Sequence, residues 1–390
     1  MFATIRGSGR SRTLPRLFPA LSCRMQSVRG LPSRSGAAVL LAATLLYTVT
    51  SDGTSQAREL AHAGSAATPV NLHQAAAHSP APRGGRPDQG TPQLTIADFS
   101  VVEVRTVATP DARTNAFLGP RRVGGGIVID AAGLVLTAAY LVAETERIEI
   151  IGPDRQRIPA TLVGHDPATG ISLIRAVIPL PVKPISLGDS ATASVNDPVL
   201  VVGYDGVAPA YIVSRREYAG SWEYLLDDAL FTAPATTGWS GAALINREGK
   251  LLGVGMLLVP DAMRNSVPGN LFVPIDTLKP VIEQLLAHGK PTGASRPWLG
   301  IMVQDISGRL LVTHVASESP AEQAGIGVGD IIVGFQGKPL KDAADFYRQL
   351  WNSGKAGVKV ELDVVQGAAL HKVSITTMES ASYLRQPRGF

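Results

Sequence analysis

The chain has 390 residues, 45% apolar and 17% charged, which suits two ordinary globular domains and excludes a fibrous protein or one long disordered chain. Its net charge of +4 is concentrated at one end: residues 1–57 hold seven arginines and a single acid, Asp52, whereas the other 333 residues carry 29 basic and 31 acidic groups. A body so nearly neutral lacks the positive field that captures phosphate backbones or anionic lipid, so no nucleic-acid partner is expected. The only cysteine, Cys23, lies in that leading segment, which excludes an internal disulfide and a cysteine-based metal site. The seven histidines show no metal-ligand spacing, and no metal or cofactor is expected.

Residues 37–50, AAVLLAATLLYTVT, form an uncharged apolar run preceded by arginines and followed by small residues, the build of a secretory signal. At 14 residues the run is short for a membrane span, which needs about 20. A start at Met25 would leave a compact signal with Arg29 and Arg34 as its positive end, and both Ser55-Gln56-Ala57 and Ala61-His62-Ala63 offer small-x-small cleavage sites. An uncleaved anchor and an organelle transit peptide are the competing readings; the expectation is export to a bacterial periplasm, soluble or anchored, with residues 1–57 as the targeting segment. Residues 52 to about 93 are rich in Ala, Pro, Gly, Ser and His without apolar periodicity, so 58–93 is expected to be an unfolded tether.

From about residue 94 short β-branched runs appear, broken by Gly, Asp-Pro and Asn/Asp turns: GGIVID, GLVLTAA, RIEIIG, ISLIRAVI, PVLVVGY, ALFTAP, GAALIN and LLGVGMLL. This spacing predicts an all-β domain. Leu278, Val281, Ile282, Leu285 and Leu286 follow helical spacing and predict one amphipathic helix closing it, before the turn-rich hinge HGKPTGASRP.

Three segments resemble the HtrA/Deg family of trypsin-fold serine proteases: GGGIVIDAAGLVLTAAYLV, VGHDPATGISLIRA and TTGWSGAALINREGKLLGVGM, with FVPIDTLKPVIEQLL at the domain end. The resemblance covers about residues 95 to 380 and implies a mainly β protein: a trypsin-like double β-barrel (94–290), an α+β PDZ domain (296–379) and a short tail (380–390). Carried over residue by residue, it puts Ser240 on the nucleophile, Tyr140 on the general base that is histidine in the family, and Gly170 on the orienting aspartate. The neighbouring Thr137, Val142, Asp166, Thr169 and Leu173 all fit the same register. Gly238 and Ser240 would supply the oxyanion-binding N–H groups, with Trp239 adding bulk to a tight loop.

A serine attacks a carbonyl only when a neighbouring base takes its proton. A tyrosine phenol, with an ordinary pKa near 10, is no such base, and a glycine orients nothing. The expectation is a proteolytically inactive homologue; an active exported endopeptidase using Ser240 with another base is the alternative. His165 is expected in a surface turn away from the nucleophile.

RPWLGIMV, VASESPAEQAGIGVGDIIVGFQGKPLKDAADFYRQLW, VKVELDVVQG and HKVSITTM carry the PDZ resemblance. Such domains bind a peptide's last residues as an added strand. By the resemblance Trp298, Leu299, Gly300 and Ile301 form the loop that receives the terminal carboxylate, and Phe346 and Leu350 face the groove or belong to the core. Partners are then polypeptide C-termini or unfolded proteins, in envelope protein quality control. The family commonly trimerises through its protease domain, so a homotrimer, or a mixed trimer with an active paralogue, is a further expectation.

Overall fold

The computed structural model describes residues 95–263 and 266–385. The targeting segment with Cys23, the tether and the last residues of the tail lie outside them.

The first six strands are β1 (Val101–Ala108), β2 (Arg121–Val128), β3 (Leu134–Ala138), β4 (Thr145–Ile151), β5 (Arg157–Asp166) and β6 (Ile171–Ala176). They close into a barrel in the order β1-β2-β3-β6-β5-β4. Alternation drives the closure: along β1, Val102, Val104, Thr106 and Ala108 turn inward while Glu103, Arg105 and Val107 are partly exposed. All five residues of β3 are buried, because the second barrel covers the face that a lone barrel would leave wet.

The second barrel comprises β7 (Pro198–Gly203), β8 (Gly206–Gly220), β9 (Tyr224–Ala233), β10 (Ala243–Ile245), β11 (Leu251–Met263) and β12 (Val267–Pro274), in the order β10-β11-β12-β9-β8-β7. Strand β8 pairs with β7 only as far as Tyr211, and β9 pairs with β12 only over Leu230–Thr232. The outer half of the β8–β9 hairpin, up to its tip at Ser221–Glu223, therefore pairs only with itself and runs past the barrel.

A third sheet holds β13 (Ile301–Ile306), β14 (Arg309–Val315), β15 (Ile331–Phe335), β16 (Lys338–Pro339), β17 (Lys359–Gln366) and β18 (Ala369–Thr376) in the order β13-β14-β15-β17-β18, with β16 beside β15. Six helices complete the described fold: α1 (Asn115–Leu118), α2 (Ala139–Val142), α3 (Ile282–His288), α4 (Pro320–Gln323), α5 (Ala343–Asn352) and α6 (Ser380–Tyr383). Helix α5 starts on Asp342, whose carboxylate accepts from the Asp345 N–H, and it buries Phe346, Tyr347 and Leu350 against the sheet. The expected closing helix is shorter than its apolar spacing implied. A 3-10 turn over Ile275–Thr277 and Pro280 delay its start to Ile282, Leu285 alone is fully buried, and Leu286 is 44% exposed.

Where the barrels meet, main chain touches main chain. The Gly125 N–H donates to the Ser240 carbonyl at 2.6 Å, and Thr137 Oγ1 donates to the Gly125 carbonyl at 2.8 Å. Gly241 sits at φ +68, and a Cβ there would overlap the Gly125 carbonyl. Gly241→Ala is accordingly expected to lower stability by about 3 kcal/mol or more. Gly249→Ala, at φ +75 in an open turn with nothing within 4 Å, should cost only about 1–2 kcal/mol. Urea denaturation of both variants beside the parent checks the difference; equal losses would contradict the close approach.

Candidate functional site

Ser240 lies in the loop between β9 and β10, 7% exposed, with its carbonyl held by the Gly125 N–H. A Cβ on Gly124 would stand 2.8 Å from Ser240 Oγ, so the strand facing the serine carries no side chain there. The group that does reach the hydroxyl is Tyr140, in the single turn α2 that follows β3: its phenol donates to Ser240 Oγ at 2.6 Å and lies 3.3 Å from the Met256 carbonyl. Burial pushes the Tyr140 phenol well above its ordinary pKa, and the bond with Ser240 offsets only part of that shift. The phenol is thus held in its neutral, proton-donating form.

Gly170, at φ +70, closes the turn between β5 and β6, and its carbonyl accepts from the Ala139 N–H at 2.8 Å, next to Tyr140. A side chain there would enter ordinary contact with Tyr224 and Met256, at 3.4 and 3.6 Å. The nearby carboxylate, Asp166, is engaged in its own turn: it accepts from Thr169 Oγ1 at 2.8 Å and the Ala168 N–H at 3.0 Å. His165 lies in β5, not in a surface turn as its sequence context suggested. Its Nδ1 stands 3.4 Å from Ser172 Oγ, and burial lowers its pKa. No histidine among the described residues is hydrogen-bonded to Ser240.

Beneath Tyr140 lies a buried guanidinium. Arg122, 1% exposed, donates to the carbonyls of Tyr140 (2.8 Å) and Ala143 (2.7 Å) and to Thr114 Oγ1 (2.7 Å). Desolvation lowers its pKa to about 10, the nearby Glu144 opposing that shift. Glu144 in turn accepts from the Arg113, Thr114 and Arg385 N–H groups. This network fixes the chain on both sides of α2 and holds the phenol on the serine.

The oxyanion positions share their loop with unexpected company. The Asp205 carboxylate occupies the space where a side chain on Gly238 would stand, and Thr237 Oγ1 donates to it at 3.2 Å. Trp239 turns toward Tyr140, ring centroids 6.4 Å apart. A carboxylate against this loop opposes negative charge at the same place, although its exposure screens the effect.

Beside the third sheet, Trp298, Leu299 and Gly300 form the loop that leads into β13 at Ile301, with Trp298 against Tyr383 at 4.7 Å between centroids. The Leu299, Gly300 and Ile301 N–H groups converge on the Glu223 carboxylate, at 3.1, 2.7 and 3.2 Å. Phe346, Tyr347 and Leu350 of α5 are all fully buried, in one cluster against which Ala219 and Leu225 of the β8–β9 hairpin pack, and the Tyr347 hydroxyl donates to the Gly220 carbonyl at 2.8 Å. Sequence reasoning missed Glu223, Ser221 and Tyr347; the one local signal was the overlong β8–β9 hairpin with a lone acid at its tip.

Burial raises the Glu223 pKa from 4.5 to about 7, the three N–H bonds opposing the shift. The sign follows: its docking takes up a proton, so the stabilisation is complete below about 4.5 and is lost as pH rises through about 7. The titratable side chain that feels it is Tyr347 on α5, which in turn faces Tyr218 on the hairpin, while Arg348 is paired with Glu217 and Asp227. Relative to Glu223→Gln, the parent should lose thermal stability between pH 4.5 and pH 7. Melting curves of the two proteins across that range check this; a constant difference would contradict it.

Comparison with known proteins agrees with this geometry. Residues 124–254 match the family "Trypsin-like peptidase domain" and residues 297–377 match "PDZ domain". A relative from Ectopseudomonas mendocina (strain ymp), named "Probable periplasmic serine endoprotease DegP-like", is 31% identical over 274 residues, covering 65% of this chain and 56% of that protein. A protein of the same name from Rickettsia conorii is 29% identical over 240 residues, covering 56% of this chain and 46% of that one. The chain thus spans about half the length of the curated relatives it matches. Among solved structures, the serine endoprotease from Yersinia pestis aligns with a TM-score of 0.43 and 25% identity, covering 73% of this chain and 95% of that one. Among the described residues no helix is long and apolar enough to cross a membrane. With both domains matched in sequence and a double barrel followed by the third sheet in the fold, the chain carries a trypsin-like peptidase domain followed by a PDZ domain.

Proposed function

We propose that the protein is a proteolytically silent HtrA-type polypeptide binder, exported to the periplasm. It takes C-termini of unfolded or assembling proteins through its PDZ domain and works as a scaffold, a holdase or a regulator of an active partner protease, as a homotrimer or a mixed trimer. The observation that carries this reading is the Tyr140 phenol standing on Ser240 at 2.6 Å, where a base would have to be.

Removing the base of a serine protease costs on the order of 10⁶ in turnover. Binding and oxyanion donors alone retain roughly 10³ to 10⁴ over water. Tyr140 cannot take the serine's proton, because its raised pKa keeps the phenol neutral. Gly170 contributes no carboxylate, and Asp166 is engaged in its turn. The Asp205 carboxylate adds an unfavourable charge beside the loop that would hold the oxyanion. The periplasmic setting is supported by the relatives' names and the apolar run at 37–50.

The retained Ser240 and the endoprotease names of the relatives favour a second reading, an active exported endopeptidase. Casein degradation by the parent, by Ser240→Ala and by a Tyr140→His plus Gly170→Asp double variant separates the two. The parent is expected to match Ser240→Ala at background, and the double variant to exceed both, since a Cβ at 170 meets only ordinary contacts, its φ of +70 costing stability rather than space. Turnover in the parent that disappears in Ser240→Ala would sink the silent reading.

A further inference from the structure

The PDZ groove of this chain is already filled, and by the chain itself. The three N–H groups that converge on Glu223 belong to consecutive residues, Leu299, Gly300 and Ile301, and Glu223 is buried. Two residues back along the tip, the Ser221 carbonyl accepts from the Val303 N–H at 3.1 Å, two residues further along β13. Stepping back by two on the tip while stepping forward by two on the edge strand is the register of an antiparallel strand addition. From the other wall, Tyr347 on α5 donates to the Gly220 carbonyl at 2.8 Å.

Side chains extend the fit. Ala219 and Leu225, flanking the tip, pack on the apolar core under the PDZ sheet. Arg348 on α5 pairs with Glu217 and, at 2.8 Å, with Asp227, one on each strand of the hairpin. Trp222 stacks edge-on against Phe117 at 4.5 Å, and Phe117 meets His314 of β14 at 5.9 Å. Glu223 itself adopts φ +54, the left-handed conformation that Ser266, Ser307 and Gln336 also take at the tips of their hairpins, so the tight turn holds the residue that carries the carboxylate.

We propose that the β8–β9 tip is an intramolecular ligand of the PDZ groove, in which the side-chain carboxylate of Glu223 stands where a peptide's terminal carboxylate would, so that an external C-terminus binds by displacing the hairpin. This rests on the peptide-capture reading above and supplies its regulation. Affinity for an external chain is then reduced by the fraction of molecules whose groove is open. A competing ligand must offer a free main-chain carboxylate, a carbonyl two residues before it for Val303, and acidic residues upstream for the released Arg348. Desolvation of the Glu223 anion works against the internal contact, which keeps it exchangeable.

The test uses the full chain, the Glu223→Ala variant and one probe, the octapeptide Arg-Glu-Tyr-Ala-Gly-Ser-Trp-Val labelled at its N-terminus, as free acid and as C-terminal amide. Without peptide, hydrogen exchange at Leu299, Gly300, Ile301 and Val303 should be about tenfold faster or more in Glu223→Ala than in the parent, with the β17–β18 amides unchanged. The free acid should bind the variant about tenfold or more tightly than the parent, and the amide should bind neither measurably. In the parent, saturating free acid should accelerate exchange over Gly220–Leu225, a readout independent of whether the variant folds. Unchanged loop exchange in the variant, or peptide binding that leaves the hairpin protected, would overturn the proposal. Faster loop exchange with no peptide bound by either protein would uphold the internal ligand and instead overturn peptide capture.

Discussion

The Gly125 N–H meets the Ser240 carbonyl at 2.6 Å and Thr137 Oγ1 holds the Gly125 carbonyl, so the two barrels join through main chain at the residue that would do chemistry. Backbones approach this closely only where side chains are missing, which is why β2 carries Gly124, Gly125 and Gly126 in a row opposite Gly241. With Ser240 fixed from that side, the second residue of α2 on the other side sets the chemistry. Here that residue is a tyrosine, held from below by Arg122 on its own carbonyl. The support for the site is complete, and what it supports is a capped serine.

The same chain places a carboxylate where a ligand's would be expected. The β8–β9 hairpin outgrows its barrel, and its free end needs partners for its backbone; the unpaired edge of β13 and the loop before it supply them. The two sites are joined by this hairpin. Tyr224, the first residue of β9, donates to the Thr169 carbonyl at 2.7 Å, next to Gly170, while Glu223 beside it in sequence fills the PDZ loop.

How much of this was legible in the sequence depended on range. The strands and the positions of Ser240, Tyr140 and Gly170 could be read because turn residues and β-branched runs leave local marks, and because three segments held one register. Helix α3 began later than its apolar spacing implied, since Pro280 and the preceding 3-10 turn outweigh periodicity. Phe346 and Leu350 carried a helical spacing that fits core and groove alike, and Tyr347, which shares their burial, escaped notice because its bond to the Gly220 carbonyl spans 127 residues of sequence. Glu223 was out of reach. It reads as an ordinary hairpin-tip acid, and its role arises from contacts about 76 residues away in sequence. Arg122 and Glu144 were hidden likewise, each looking like a surface charge on a β-strand or turn.

Covalent labelling tests the central claim most directly, because it asks about the nucleophile without assuming a substrate. The parent and Ser240→Ala would be incubated with an excess of a fluorophosphonate and analysed by intact mass and peptide mapping. With its hydroxyl held by a neutral phenol and no histidine among the described residues hydrogen-bonded to it, Ser240 is expected to remain unmodified, and the two proteins to look alike. Stoichiometric phosphonylation of the parent at Ser240, absent in the alanine variant, would show an activated nucleophile and contradict the account.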